Sequence, residues 1–293
     1  MYRMLVLDMD GTLLNERQEI SKENLKAVKK AIKKGIKVVL ATGRSFEGIL
    51  PYLSELDLIK EKNYSIACSG ALALDNLTRQ VLHGIRIKHE DLIKIHTMCE
   101  DFNLDMSAYT KESILIHRDN LFSRYDAVAN FVPLEKVDFH QLNPDREVYK
   151  VNLINESVEI MDQMREYFPT IHLEEMHIRS KDNFNKDLLG ELWRFPEEIM
   201  NNHTVVRPLS FCLEILNKKC NKAVGVKEVA KLYNIPREEI ICIGDSGNDL
   251  HMIEYAGLGI AMGNAYEKVK EIADDITLSN LEDGVAYAIN KYL

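Results

Sequence analysis

An α/β fold is predicted for this chain: a doubly wound, Rossmann-like parallel sheet interrupted by an inserted α+β unit. Three observations carry the expectation. Short apolar runs at Met4 to Leu7, Ile36 to Ala41 and Ile240 to Ile243 read as strands buried on both faces, and each runs directly into polar residues. A helical stretch joins the first two of these strands, which makes a right-handed βαβ unit. The middle of the chain, from about residue 83, instead alternates strand pairs with helices, the texture of an antiparallel sheet.

Met4 to Leu7 forms the first strand, and Gly11 with Thr12 turns the chain away after Asp8 and Asp10. Ser21 to Lys34 has Leu25, Val28, Ala31 and Ile32 at helical spacing, with Ser21 as N-cap and Gly35 at the C-terminal end. Ile36 to Ala41 is the second strand and ends in Thr42-Gly43-Arg44. Tyr64 to Cys68 is a third strand, ending in Ser69-Gly70, and Ala71 to Leu82 reads as a short strand pair.

In the middle, Lys88 to Phe102 reads as a helix with Leu92, Ile93, Ile95, His96 and Cys99 inward. Leu104 to Tyr109 and Ser113 to His117 are expected strands, Phe122 to Phe131 a helix, and Tyr149 to Ile154 a strand. A helix is expected over Val158 to Phe168, one or two strands around His172 to Ile178, and a helix over Pro196 to Asn201. Parallel texture returns after Val205. Cys212 to Leu216 and Ile240 to Ile243 are strands with the helix Lys222 to Tyr233 between them. Leu250 to Ala256 is a helix, Leu258 to Met262 a strand, and Ile276 to Leu278 an edge. The expected division is residues 1–82 with 206–293 as the core, and 83–205 as the insertion.

Composition excludes several classes of function. The chain has 293 residues, 46% hydrophobic and 28% charged, as in ordinary globular proteins with room for two domains. A formal charge of -9 argues against nucleic acid or an anionic membrane as partner. No apolar run approaches the roughly 20 residues needed to span a bilayer. The first strand begins within four residues of Met1, which leaves no room for a signal peptide. The five cysteines form no Cys-x-x-Cys pair and suit buried, reduced thiols. A cytoplasmic location is expected.

The chemistry begins at Asp8 and Asp10. Two carboxylates at the mouth of a buried strand repel each other and are costly to desolvate, a cost that a bound cation removes. Alone, Asp-x-Asp fits an acidic turn equally well. A second cluster, Gly244-Asp245-Ser246-Gly247-Asn248-Asp249, comes after another buried strand and opens a helix. Helix capping by Asp245 or Asp249 would explain either residue singly. It does not explain four aspartates converging on one sheet edge from strands so far apart in the chain. Oxygen-rich, histidine-poor donors suit Mg²⁺. The nine histidines contain no His-x-His or His-Glu-x-x-His pattern, so zinc is not expected. Thr42-Gly43 offers a hydroxyl and backbone amides to a phosphate, and Lys222 at a helix start adds positive charge, although Lys218 or Lys219 could serve electrostatically.

Taken in order, Asp8-Met9-Asp10-Gly11-Thr12-Leu13, Thr42-Gly43-Arg44, Lys222 and Gly244-Asp245-Ser246-Gly247-Asn248-Asp249 resemble the four motifs of the haloacid dehalogenase superfamily. The match is similar above all to the Cof-type branch (class IIB), whose large α+β cap is inserted between the second and third motifs. Ala261-Met262-Gly263-Asn264-Ala265 and Asn280-Leu281-Glu282-Asp283-Gly284-Val285 add to the likeness. The branch often has Asn-Gly where this chain has Ser69-Gly70, and it usually has a glycine before the lysine of its third motif.

The resemblance implies a Mg²⁺-dependent phosphatase acting on a small phosphorylated metabolite, a sugar phosphate among the candidates, through an aspartyl-phosphate. A phosphosugar mutase of the same superfamily is the alternative, and an inactive metabolite-binding regulator a more distant one. It implies Asp8 as nucleophile and Asp10 as general acid and base. Mg²⁺ would be held by Asp8, the Asp10 backbone carbonyl and Asp245, with Asp249 as a ligand or supporting one, and the phosphoryl group by Thr42, Gly43 and Lys222, with Asn248 helping to order it. Trp193, beside Arg194 and Phe195, is read as core in preference to a contact with substrate.

Overall fold

The computed structural model describes residues 1–101, 103–154, 201–209 and 212–293. The chain divides into two compact units, Met1–Gly84 with Cys220–Leu293, and Ile85–Lys219.

The first unit opens with β1 (Met4–Leu7), α1 (Lys22–Lys33), β2 (Lys37–Leu40) and α2 (Leu50–Glu55). It continues with β3 (Tyr64–Ala67), β4 (Leu72–Asp75) and β5 (Val81–Gly84). The second unit contributes α3 (His89–Asp101), β6 (Asp105–Tyr109), β7 (Ile114–Ile116), α4 (Leu121–Ala129), β8 (Leu134–Lys136), β9 (Lys150–Ile154), β10 (His203–Leu209) and β11 (Cys212–Asn217). The chain then re-enters the first unit with α5 (Lys222–Tyr233), β12 (Ile240–Gly244), α6 (Leu250–Tyr255), β13 (Leu258–Ala261), α7 (Glu267–Ile272), β14 (Asp275–Ile276) and α8 (Gly284–Tyr292).

The central sheet of the first unit has the order β14-β13-β12-β1-β2, and every pairing in it is parallel. All four residues of β1 are buried, as a strand covered on both faces requires. Leu7 lies opposite both Leu40 and Ile243, so three strands end level with one another. Asp8, Ala41-Thr42 and Asp245, which continue the chain beyond those strands, therefore meet at one edge. Open α/β sheets bind ligands at this edge.

β3, β4 and β5 form an antiparallel three-stranded sheet, tied to the β2 end by a single bridge between Ala41 and Ile66. Helix α1 starts where the sequence predicts, with Ser21 Oγ accepting from the Asn24 amide at 3.1 Å. Its buried face is rotated from the predicted one, onto Asn24, Ala27, Val28 and Ala31. The reason is α8, against which α1 packs: Asn24 Oδ1 accepts the Ala286 amide at 2.8 Å.

In the second unit a six-stranded sheet has the order β10-β11-β9-β6-β7-β8, antiparallel except for the β7–β8 pair. Its core gathers Leu92, Ile95 and Cys99 of α3 with Met106, Leu115, Val151, Leu153 and Phe139. This is the α+β insertion that the sequence predicts, with one correction. The strand Cys212–Asn217, assigned from sequence to the returning parallel sheet, pairs antiparallel with β9 and β10. A short, mostly apolar run reads alike in either sheet. Glu214 marks it as a strand of the insertion, because its carboxylate lies 3.1 Å from the Lys150 ammonium on β9. The chain returns at Cys220, not at residue 206.

The readings at Phe102, 158–168, 172–178 and Trp193, and all but the last residue of the helix expected at Pro196–Asn201, lie outside the described residues. All five cysteines are buried, and none is in a disulfide. No described helix is long and apolar enough to cross a membrane.

Candidate active site

Asp8 leaves β1 with its amide donating to the Ile243 carbonyl at 3.0 Å, so its side chain emerges at the junction of β1 and β12. Asp245 and Asp249 come from the turn after β12. Carboxylate oxygens of Asp8, Asp245 and Asp249 lie within 4.8 Å of one another, and all three residues are buried. Lys222, the first residue of α5, is fully buried, and its ammonium donates to Asp8 Oδ1 at 2.5 Å and to Asp249 Oδ1 at 2.6 Å. It emerges there because Asn221 caps the helix, its side chain accepting from the Val224 amide at 3.1 Å. Lys218 and Lys219 are exposed and belong to the second unit, whereas Lys222 lies buried in the first.

Helix capping does not account for the aspartates. Asp249 makes no side-chain cap to α6. Its Oδ2 turns back and accepts the amides of Asp245 at 3.1 Å and Ser246 at 3.0 Å. Asp245 Oδ1 accepts the Thr12 hydroxyl at 2.9 Å, which ties the first acidic loop to the second. Asn264 adds another tie: its Nδ2 donates to the Gly11 carbonyl at 2.9 Å and its Oδ1 accepts the Asn280 amide at 2.9 Å.

The electrostatics are those of too much negative charge for one lysine. Burial, and then the Asp249 charge, push the Asp8 carboxyl up to about 7, against the pull of the Lys222 ammonium. Burial opposes the charge on Lys222, but Asp249 and Asp8 together hold it charged, well above the usual lysine value. Lys222 pairs with Asp8 and Asp249, and with Asp245 in the same cluster the carboxylates outnumber the ammonium beside them. The all-oxygen donor set fits a divalent cation of the hard class.

Asp10 does not join that cluster through its carboxylate. Both of its oxygens are taken by Arg44, Nε donating to Oδ2 at 2.8 Å and Nη2 to Oδ1 at 2.6 Å. Arg44 Nη2 also donates to Gln18, and the guanidinium lies 5.4 Å from the centre of the Tyr52 ring. Burial pushes the Asp10 carboxyl upward, but Arg44 and Gln18 outweigh it and hold the group below the usual carboxylate value. Sequence reasoning quoted Arg44 within Thr-Gly-Arg without giving it a partner, and Gln18 and Tyr52 carried no signal. Thr12 was visible only as part of Asp-Gly-Thr.

Thr42 is buried just past the end of β2. Its amide donates to the Ile66 carbonyl at 3.0 Å, so this amide is not free for a phosphate as the sequence suggested. Its hydroxyl oxygen accepts the Arg44 amide at 3.2 Å and keeps its own proton to donate. A Cβ on Gly43 would lie 3.2 Å from Ser69 Oγ and 4.0 Å from Asn248 Nδ2, which places Gly43, Ser69 and Asn248 together. Ser69 itself is in the left-handed region, with φ of 55°.

Residues 5–289 match the family model described as haloacid dehalogenase-like hydrolase. The Bacillus subtilis protein YxeH, which carries a phosphatase name, is 32% identical over 293 residues, spanning 99% of this chain and 98% of its own. A haloacid dehalogenase-like hydrolase from Bacteroides thetaiotaomicron superposes with a TM-score of 0.80 at 27% identity, over 100% of both chains. The subclass IIB sugar phosphatase BT4131 shares the fold, with a TM-score of 0.74 at 23% identity over 99% and 98% of the two chains. The chain belongs to the haloacid dehalogenase-like hydrolase family. It is a phosphatase of that family, with the subclass IIB fold.

Proposed function

We propose that the chain is a Mg²⁺-dependent phosphomonoester hydrolase of small phosphorylated metabolites, sugar phosphates among them, that works through an aspartyl-phosphate on Asp8. The observation that carries this reading is the buried Lys222 ammonium joined to both Asp8 and Asp249, at the edge where three parallel strands end. We assign the first unit as catalytic core and the second, by its place between the second and third motifs, as cap.

Asp8 attacks phosphorus, forming an O–P bond as the bond to the leaving alcohol breaks, and Asp10 gives that alcohol its proton. Asp10, now a carboxylate, takes a proton from water, and the resulting hydroxide releases phosphate and restores Asp8. Thr42, Gly43 and Asn248 hold the phosphoryl oxygens, while Lys222 offsets charge that grows in the transition state. Asp8, Asp245 and Asp249, with the Asp10 carbonyl, would hold Mg²⁺, which when bound supplies further positive charge to the transferring phosphoryl group. Before Asp10 can act as an acid its carboxyl must leave Arg44, because that pairing keeps it ionised.

The test is phosphate release from a panel of phosphorylated metabolites by the wild type and Asp8→Asn. At least one substrate should be turned over by the wild type and lost by several orders of magnitude in a folded Asp8→Asn protein. Near-normal turnover in that variant would overturn the mechanism.

A further inference from the structure

A second group of metal-competent side chains lies wholly within the second unit. His96 and Glu100 stand one turn apart on α3, and His140 comes from the short turn Phe139–Gln141. One ligand atom from each of the three lies within 4.8 Å of the other two. His140 Nε2 is 3.1 Å from Glu100 Oε2, and His96 Nδ1 is 3.8 Å from the same oxygen. A third imidazole, His117 just past β7, lies 5.0 Å from His96 between ring centres.

His96 supplies the second, independent observation. The residue is only 3% exposed, yet neither of its ring nitrogens has a hydrogen-bond partner among the described residues. His117 Nδ1 is buried without a partner as well. Stacking on Phe139, with ring centres 4.9 Å apart, explains why an imidazole ring can sit there. It does not explain the bare nitrogens. A neutral imidazole always carries one N–H and one lone pair, and buried polar atoms are nearly always satisfied. A metal ion satisfies the lone pair directly, and burial keeps His96 and His117 below the usual histidine value, in the neutral form that ligates.

We propose that His96, Glu100 and His140 form a binding site for a divalent cation of the zinc class, with His117 or water completing the coordination. Two or three imidazoles with one carboxylate suit Zn²⁺ and not Mg²⁺, which takes oxygen donors. Ligand atoms around a tetrahedral zinc lie about 3.3 Å apart, given bonds of about 2.0–2.1 Å. The present spread closes by rotation of His140 and Glu100, which are about half exposed, onto the buried His96. Such an ion would pin α3 to the turn at His140. The site is separate in kind from the carboxylate cluster and does not rest on the phosphatase reading.

The experiment is a Zn²⁺ titration of chelator-stripped full-length protein, with millimolar Mg²⁺ present, read by competition with a chromophoric chelator. Co²⁺ absorption and the thermal midpoint are followed in parallel. Wild type should bind one equivalent of Zn²⁺ at micromolar or lower free concentration, give the visible absorption of a nitrogen-ligated Co²⁺ site, and melt higher with zinc. Glu100→Gln and His140→Ala replace exposed side chains and keep the fold; each should weaken binding by roughly 10–100-fold and lose both other signals. Absence of binding to wild type, or equal affinity in wild type and both variants, overturns the proposal.

Discussion

At the scale of single residues, the two aspartates of the first motif are held in opposite ways. Asp8 faces an ammonium in a buried, crowded site, whereas Asp10 is drawn aside by a guanidinium fork. They should therefore fail differently. Asp10→Asn keeps the backbone carbonyl and a similar shape, but it can neither donate a proton to a leaving alkoxide nor take one from water. With an alkyl phosphate, turnover should drop by on the order of 10²–10⁴-fold, the usual worth of acid–base help. With p-nitrophenyl phosphate the leaving group needs no proton. A rapid burst of nitrophenol and then slow turnover is expected in pre-steady-state kinetics. Equal loss of burst and steady rate would move the acid–base role off Asp10. Arg44, which controls Asp10, was legible only as a letter in a motif: its reach to Asp10 depends on where β2 ends relative to β1, and spacing does not reveal that.

Among the elements, the entry to α5 is tightly constrained. Gly70 has φ of 95°, and a Cβ there would lie 2.1 Å from the Asn221 carbonyl oxygen, immediately before Lys222. Gly70→Ala is thus strained in its own backbone, by about 1–3 kcal/mol, and pushes on the residue that caps the lysine helix. Denaturant unfolding should show a loss of more than about 2 kcal/mol, with activity falling further than stability because Lys222 is displaced. A midpoint within error of wild type would contradict the close approach. The helices and strands that carry the motifs were readable because period and caps agreed there, as for Lys222–Tyr233, found with the predicted bounds. β8 and β10 were missed: the first has three residues, none of them fully buried, and the second contains Pro208. The histidines of α3 and the turn at His140 were equally silent, since ligands forty residues apart leave no local pattern.

On the scale of the whole molecule, excess negative charge at the Asp8–Asp245–Asp249 edge should make stability depend on a cation. Adding Mg²⁺ at 100 times its dissociation constant to chelator-treated protein should stabilise it by about 2.7 kcal/mol, a rise of several degrees in thermal midpoint. Asp245→Asn should remove most of that rise. Identical melting with EDTA and with Mg²⁺ would argue that Lys222 alone suffices. The insertion was legible as a change of texture, but its far boundary was not. The last strand of one sheet and the first of another are both short apolar runs, and only pairing tells them apart.

The strand order also has a consequence for how the protein is made. β1 precedes its sheet neighbours in the chain but sits between β2 and β12, and α1 rests on α8, which follows only at Gly284. Until the residues from Cys220 onward are made, β1 has β2 on one side and presents an open edge on the other, where β12 will pair. At that stage Asp10 has its Arg44, but Asp8 has neither Lys222 nor Asp249. On the proposed mechanism, competence for chemistry arrives only once Lys222, Asp245 and Asp249 have been made, and a product terminated before Lys222 is expected to be inert towards phosphate esters.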